Sequence, residues 1–86
     1  MKEDAIKNKI FELLKKIAPD TEPSELKPED NIRETLNIDS FDTLQFVVAL
    51  SENFSIEIPE QDYGKITNLK DLLSYINNKI AVQHKK

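Results

Sequence analysis

The chain has 86 residues, 38% of them hydrophobic and 33% charged, with no cysteine, which excludes disulfides and Cys-based metal sites and leaves one small globular domain that needs every apolar stripe for its core. Its net charge is −4, yet Glu34 to Gly64 alone holds seven acids (Glu34, Asp39, Asp42, Glu52, Glu57, Glu60 and Asp62) and no Lys or Arg, so the remainder sums to +3. That negative pole argues against the basic footprint of a nucleic-acid binder and makes basic protein partners more plausible, although charge alone favours a plain solvated acidic surface; with no apolar run of membrane-spanning length and no signal peptide, a cytoplasmic monomer is expected.

Ile6, Ile10, Leu13, Leu14 and Ile17 fall on one face at helical spacing and predict a first helix over about 4–17. Glu3 and Asp4 suit its start, Lys15 and Lys16 its end, and Pro19 stops it. Ala18 to Asn31, with Pro19, Pro23 and Pro28, reads as a long connection that Leu26, Ile32 and Leu36 pin to the core. Leu44, Val47, Val48, Leu50 and Phe54 predict a second helix over about 40–53, with Asp39 or Ser40 as its cap and Asp42 three residues after Asp39. Ile56 and Ile58 alternate like a strand, but the chain offers no second strand to pair with them. A short helical turn follows over about 60–65. Leu69, Leu72, Leu73, Ile76 and Ile80 predict a last helix over about 69–81, capped by Asn68, with 82–86 a solvated tail. Three longer helices plus one short one make an all-α bundle, and a single glycine agrees with it.

A serine in the first turn of a helix sits where free backbone N–H groups and the helix dipole favour a phosphate. By residue type alone Ser40 is an ordinary helix-start serine. Its surroundings change that. Leu36-Asn37-Ile38-Asp39-Ser40-Phe41-Asp42-Thr43-Leu44 is followed by Val47-Val48-Ala49-Leu50, Phe54, Glu57-Ile58-Pro59 and Lys65-Ile66-Thr67. This run resembles the phosphopantetheine attachment motif and downstream pattern of the acyl carrier protein family, and the resemblance extends over nearly the whole chain.

The resemblance implies a non-catalytic carrier that holds acyl groups as thioesters on a 4'-phosphopantetheine arm. A separate phosphopantetheinyl transferase would move the arm from coenzyme A onto Ser40, and the added thiol would supply what a cysteine-free chain lacks. Asp39 would orient the transferase's metal and nucleophile, cap the helix, or both. Phe41, where the family usually has Leu, would be an exposed partner contact. With Asp42, Gln45 and Glu52 it would form the docking face for acyl-transferring or synthase enzymes that carry basic patches. Val48, Phe54, Ile58, Ile66 and Leu72, beside Leu50 and Ile76, would line the bundle interior, where an acyl chain can enter; Val48 is expected to turn toward the core. Asn37 stands where the family commonly has Gly, and Asn tolerates the positive φ of a tight turn. Gln45, Ser51 and Asn53 stand where many fatty-acid carriers have Glu. The acidic stripe is thereby thinned, which puts a housekeeping fatty-acid role in doubt and opens a specialised acyl or polyketide-type pathway.

Other functions are weighed against this one. A hydrolase with Ser40 as nucleophile needs a base, and the only histidine, His84, lies in the polar tail. No metal site is expected from the scattered acids. An interaction module with a carrier fold and no arm stays open, as does a D-alanyl or other aminoacyl carrier. The Gly-Gly-His/Asp-Ser pattern of peptidyl carriers is not matched by Ile38-Asp39-Ser40.

Overall fold

Four α-helices and two 3₁₀ turns make up residues 3–83, the part of the chain that the computed structural model describes, with no strand among them. α1 (Glu3–Ile17) buries Ile6, Ile10, Leu13 and Leu14. These four repeat at three- and four-residue steps, so one stripe faces inward, and α1 packs against both long partners, α3 (Ser40–Phe54) and α4 (Leu69–Gln83). Lys15 fastens the exit of α1: its ammonium donates to the Thr21 carbonyl at 2.7 Å and pairs with Glu22 at 3.2 Å.

The proline-bearing connection is more ordered than its composition implies. Pro23–Glu25 forms a 3₁₀ turn with Pro23 buried, and Leu26 enters the core behind it. A five-residue helix, α2 (Ile32–Leu36), follows, capped by Asn31, whose side chain accepts from the Glu34 N–H at 2.9 Å. Ile32 and Leu36 are buried, so the three expected anchors all reach the core. Main-chain bonds tie this stretch to the start of α4: Ile32 N–H donates to the Thr67 carbonyl, and Lys70 N–H to that of Pro28, each at 2.9 Å. A connection pinned at both ends can hold the residues between it and α3 in one place.

α2 ends at Asn37 in the left-handed conformation, φ 55°. Asn supports that backbone because its short side chain tolerates it better than other L-residues do. The turn lets Ile38 bury its side chain and delivers the chain to Asp39, the N-cap of α3. α3 buries Phe46, Val47, Leu50 and Phe54 and closes at Ser55, also left-handed at φ 53°.

Two expectations need correction, the first for the inward face of α3. Leu44 and Val48 do not face the core: they are 48% and 47% exposed, whereas Val47 is 2% exposed. The reason is angular. At 100° per residue the buried set centres between Leu50 and Phe54, which carries Val48 and Leu44 to the opposite flank beside Phe41. Phe46, which the helical pattern had not marked, takes the inward place.

Ile56 and Ile58 are both buried, with Glu57 between them exposed. The alternation of an extended segment is real, but its partner is the core and not a strand. The Glu57 N–H instead donates to Oε1 of Gln83 at 2.7 Å, and the Gln83 amide returns a bond to the Glu57 carbonyl at 3.4 Å. This reciprocal clasp explains the second correction, to the tail. α4 continues through Val82 to Gln83, beyond the expected end near residue 81. His84, Lys85 and Lys86 lie outside the described residues.

Asp62 anchors the 3₁₀ turn Glu60–Lys65 to α4. Its carboxylate accepts from the Tyr75 hydroxyl at 2.7 Å and pairs with Lys65 at 3.4 Å and Lys79 at 3.8 Å. The tyrosine bond, helped by the two lysines, holds the Asp62 carboxyl below its ordinary pKa, and burial followed by the adjacent carboxylate pushes Tyr75 well above the usual tyrosine range. The turn is thereby fixed where it flanks the opening beside α3.

Candidate functional site

The site starts from the cap of α3. Asp39 Oδ1 accepts from the Asp42 N–H at 2.8 Å, and the Asp39 carbonyl accepts from the Thr43 hydroxyl at 2.8 Å. Asp39 therefore fulfils the capping role directly, with its side chain exposed. Ser40 is the first residue of the helix and is exposed. Among the described residues, one side chain meets it: the Arg33 guanidinium, whose Nη2 donates to Ser40 Oγ at 3.1 Å. Arg33 sits in α2, and the left-handed turn at Asn37 brings the two helices together so that it faces the serine.

Beside Ser40 opens a cavity of about 570 Å³. Ile32, Ile38, Leu44, Phe46, Val47, Tyr63 and Ile66 give it an apolar lining, while Arg33, Ser40, Thr43 and Thr67 supply polar groups. Its far wall comes from the turn that Asp62 fixes to α4 and from the residues just after it. The volume lies in the range of pockets that take small ligands.

The five residues expected to meet an acyl chain are distributed unevenly. Ile66 lines the cavity. Phe54, Ile58 and Leu72 are buried in the core away from that lining, and Val48 is on the surface. Leu50 and Ile76 are likewise fully buried core residues. Arg33, Ile38, Thr43, Phe46 and Tyr63, to which the sequence assigned no pocket role, also line it.

The outer face of α3 carries Phe41, Leu44 and Val48, spaced at three and four residues, with Phe41 65% exposed. Gln45 and Glu52 lie exposed on the same flank, and Asp42 is half-buried at the helix start. The result is an apolar ridge with few charges along it. Of the seven acids between Glu34 and Gly64, Asp62 is the one that makes an ion pair among the described residues; the others stand open to solvent or in caps. No group of three or more acids or histidines among the described residues is arranged to hold a metal ion, and no helix among them is long and apolar enough to cross a membrane.

Residues 5–76 match the family model described as phosphopantetheine attachment site. The chain is 38% identical over 77 residues to a protein of Thermosynechococcus vestitus named acyl carrier protein, an alignment covering 86% of this chain and 95% of that one. It is 49% identical over 53 residues to another of that name from Helicobacter hepaticus, covering 62% of this chain and 70% of the relative.

Proposed function

The chain belongs to the acyl carrier protein family, and on that premise we propose that Ser40 is the residue that bears its 4'-phosphopantetheine arm. The family's prosthetic group is covalent, and the residues present fit it. Ser40 offers an exposed hydroxyl at the start of a 15-residue helix, where unpaired backbone N–H groups favour an anion, and a guanidinium stands 3.1 Å away. The observation that carries the reading is this one juxtaposition: an exposed helix-start serine, a cation directed at it, and an apolar cavity beside both. In the modification the Ser40 oxygen forms a bond to phosphorus as the diphosphate bond of coenzyme A breaks. The adenosine portion leaves with the second phosphate, and the transferase takes up the serine proton. Once attached, the arm supplies the thiol that the cysteine-free chain lacks, on which an acyl group rides as a thioester.

The rest of the chain's part is to bind and orient. Asp39 holds the helix start, so that Ser40 is presented in a fixed direction, and its exposed carboxylate is available to the transferase's metal. The cavity can shelter the first carbons of a cargo between Phe46, Val47 and Ile66. Partners with basic patches dock on the outer face of α3, with Phe41 as the apolar anchor, Leu44 and Val48 extending it, and Asp42, Gln45 and Glu52 at its edge. A buried aromatic sets residence time, and edge charges set association rate and salt dependence. With Gln45, Ser51 and Asn53 uncharged, the face suits a specialised acyl pathway better than a synthase that reads a dense acidic stripe. The chain itself catalyses nothing in this reading.

Incubation of the apo protein with coenzyme A, magnesium and a broad-specificity phosphopantetheinyl transferase should add one arm, and Ser40→Ala should stay folded and take none. Modification of Ser24, Ser51, Ser55 or Ser74 instead would sink the assignment.

A further inference from the structure

Arg33 is the one cation between Lys27 and Lys65. It is exposed and surrounded in sequence by acids, yet among the described residues it makes no ion pair. Its guanidinium is spent on a neutral hydroxyl, that of Ser40. A guanidinium presents five donors in a planar fork that matches the paired oxygens of a phosphate, and a lone hydroxyl satisfies one of them. The placement is well supported. Ile32 and Leu36 on either side are buried, Asn31 caps the helix, and the Ile38 N–H donates to the Arg33 carbonyl at 3.1 Å across the Asn37 turn. Arg33 and Ser40 thus project from two anchored helices toward the same cavity.

We infer that Arg33 is a positioning residue for the phosphodiester of the arm: its fork binds the two non-bridging phosphate oxygens on Ser40 and holds the base of the arm over the neighbouring cavity. This rests on Ser40 being the attachment point. A free phosphodiester would let the arm swing from the helix end in any direction. Clamped by Arg33, the arm leaves along the cavity side, which shelters the cargo until a docking partner competes for it. Bidentate guanidinium–phosphate contacts are directional in a way that an ammonium is not, so lysine at this position keeps the charge and loses the alignment.

The test uses the loaded chain. Wild type, R33Q and R33K are each modified with coenzyme A, and intact and peptide mass show whether each carries one arm on Ser40. Failure at that step in the wild type refutes the attachment site and says so separately. On the three loaded proteins, phosphorus NMR then reads the phosphodiester directly. At low salt the wild-type signal should be displaced and broadened relative to R33Q, with R33K close to R33Q. Rising salt should carry the wild-type signal toward the R33Q position, while R33Q barely moves. In wild type labelled at arginine, the Arg33 Nε–Hε signal should shift between the unmodified and loaded forms. Circular dichroism checks that all three variants are equally folded. Coincident phosphorus signals in wild type and R33Q at low salt, or an Arg33 signal indifferent to loading, would overturn the inference.

Discussion

Val47 and Val48 are chemically identical neighbours on α3 with opposite surroundings, 2% and 47% exposed. Truncating each to alanine separates core from surface on one helix. At Val47 the change removes two buried carbons, about 1.6 kcal/mol of transfer free energy. A residual-void term adds to it, because the vacated space opens into the existing cavity and has little to collapse onto. Alanine's better helix propensity returns roughly 0.5 kcal/mol, so the net loss is about 2 kcal/mol. At Val48 only about half of the transfer term applies, no void forms, and the same propensity gain offsets most of it, leaving a change within about 0.5 kcal/mol. A gap of roughly 1.5 kcal/mol corresponds to about 6–12 °C in Tm for a chain of this size. Thermal and urea unfolding followed by circular dichroism at the helical band measure it. Equal losses for the two variants would place Val48 in the core after all, and the proposed docking ridge would lose one of its three members.

Phe41→Ala should leave the melting temperature within a degree or two of wild type but slow acyl transfer to the cognate enzyme more than Asp42→Ala does; unchanged kcat/KM with every cognate enzyme would remove its anchor role. Asp62 is held below its ordinary value of 3.8, first by the Tyr75 hydrogen bond and then by Lys65 and Lys79. Its contribution is therefore present above that ordinary value and lost as pH falls through the lower folded one. Asp62→Asn should lower the neutral-pH melting temperature and flatten the acid limb of the stability curve, and a limb as steep as wild type would show that other carboxylates set it. Asn37→Gly should be neutral or mildly stabilising at φ 55°, whereas Asn37→Val should cost about 1–2 kcal/mol in urea unfolding; a neutral Asn37→Val would mean the turn adopts another backbone.

The three long helices were legible because their signals are long and redundant. α1 repeats its apolar residues over four turns between acids and lysines, and α3 and α4 follow directly on Asp39 and Asn68, whose side chains accept the expected bonds from Asp42 and Asp71. α2 was not legible: five residues are too few for periodicity, and its first residue is tied by a main-chain bond to Thr67, far away in sequence. The inward face of α3 was misjudged because Leu44, Phe46, Val47, Val48 and Leu50 cover more than half the helix circumference, so spacing alone cannot choose a side. The end of α4 depends on the Gln83–Glu57 clasp, a contact across 26 residues that no local signal records. At the candidate site, the left-handed turn at Asn37 and the place of Ser40 at the start of α3 were readable from residue type and position, whereas the role proposed for Ser40 came from the family resemblance. Arg33 was not readable, because its approach to Ser40 depends on the chain reversal at Asn37, and the cavity wall was mostly missed because Ile38, Phe46 and Tyr63 come from three separate segments.

The central claim is that Ser40 bears an arm loaded with an acyl group. Tandem mass spectrometry of the intact protein from its native host tests it without any chosen enzyme or substrate. The account predicts one phosphopantetheine per chain, localised by fragmentation to Ser40, with an acyl thioester on part of the population that hydroxylamine releases. A chain that is wholly unmodified under conditions where its host makes phosphopantetheinyl transferase, or an arm localised to any other serine, would contradict it.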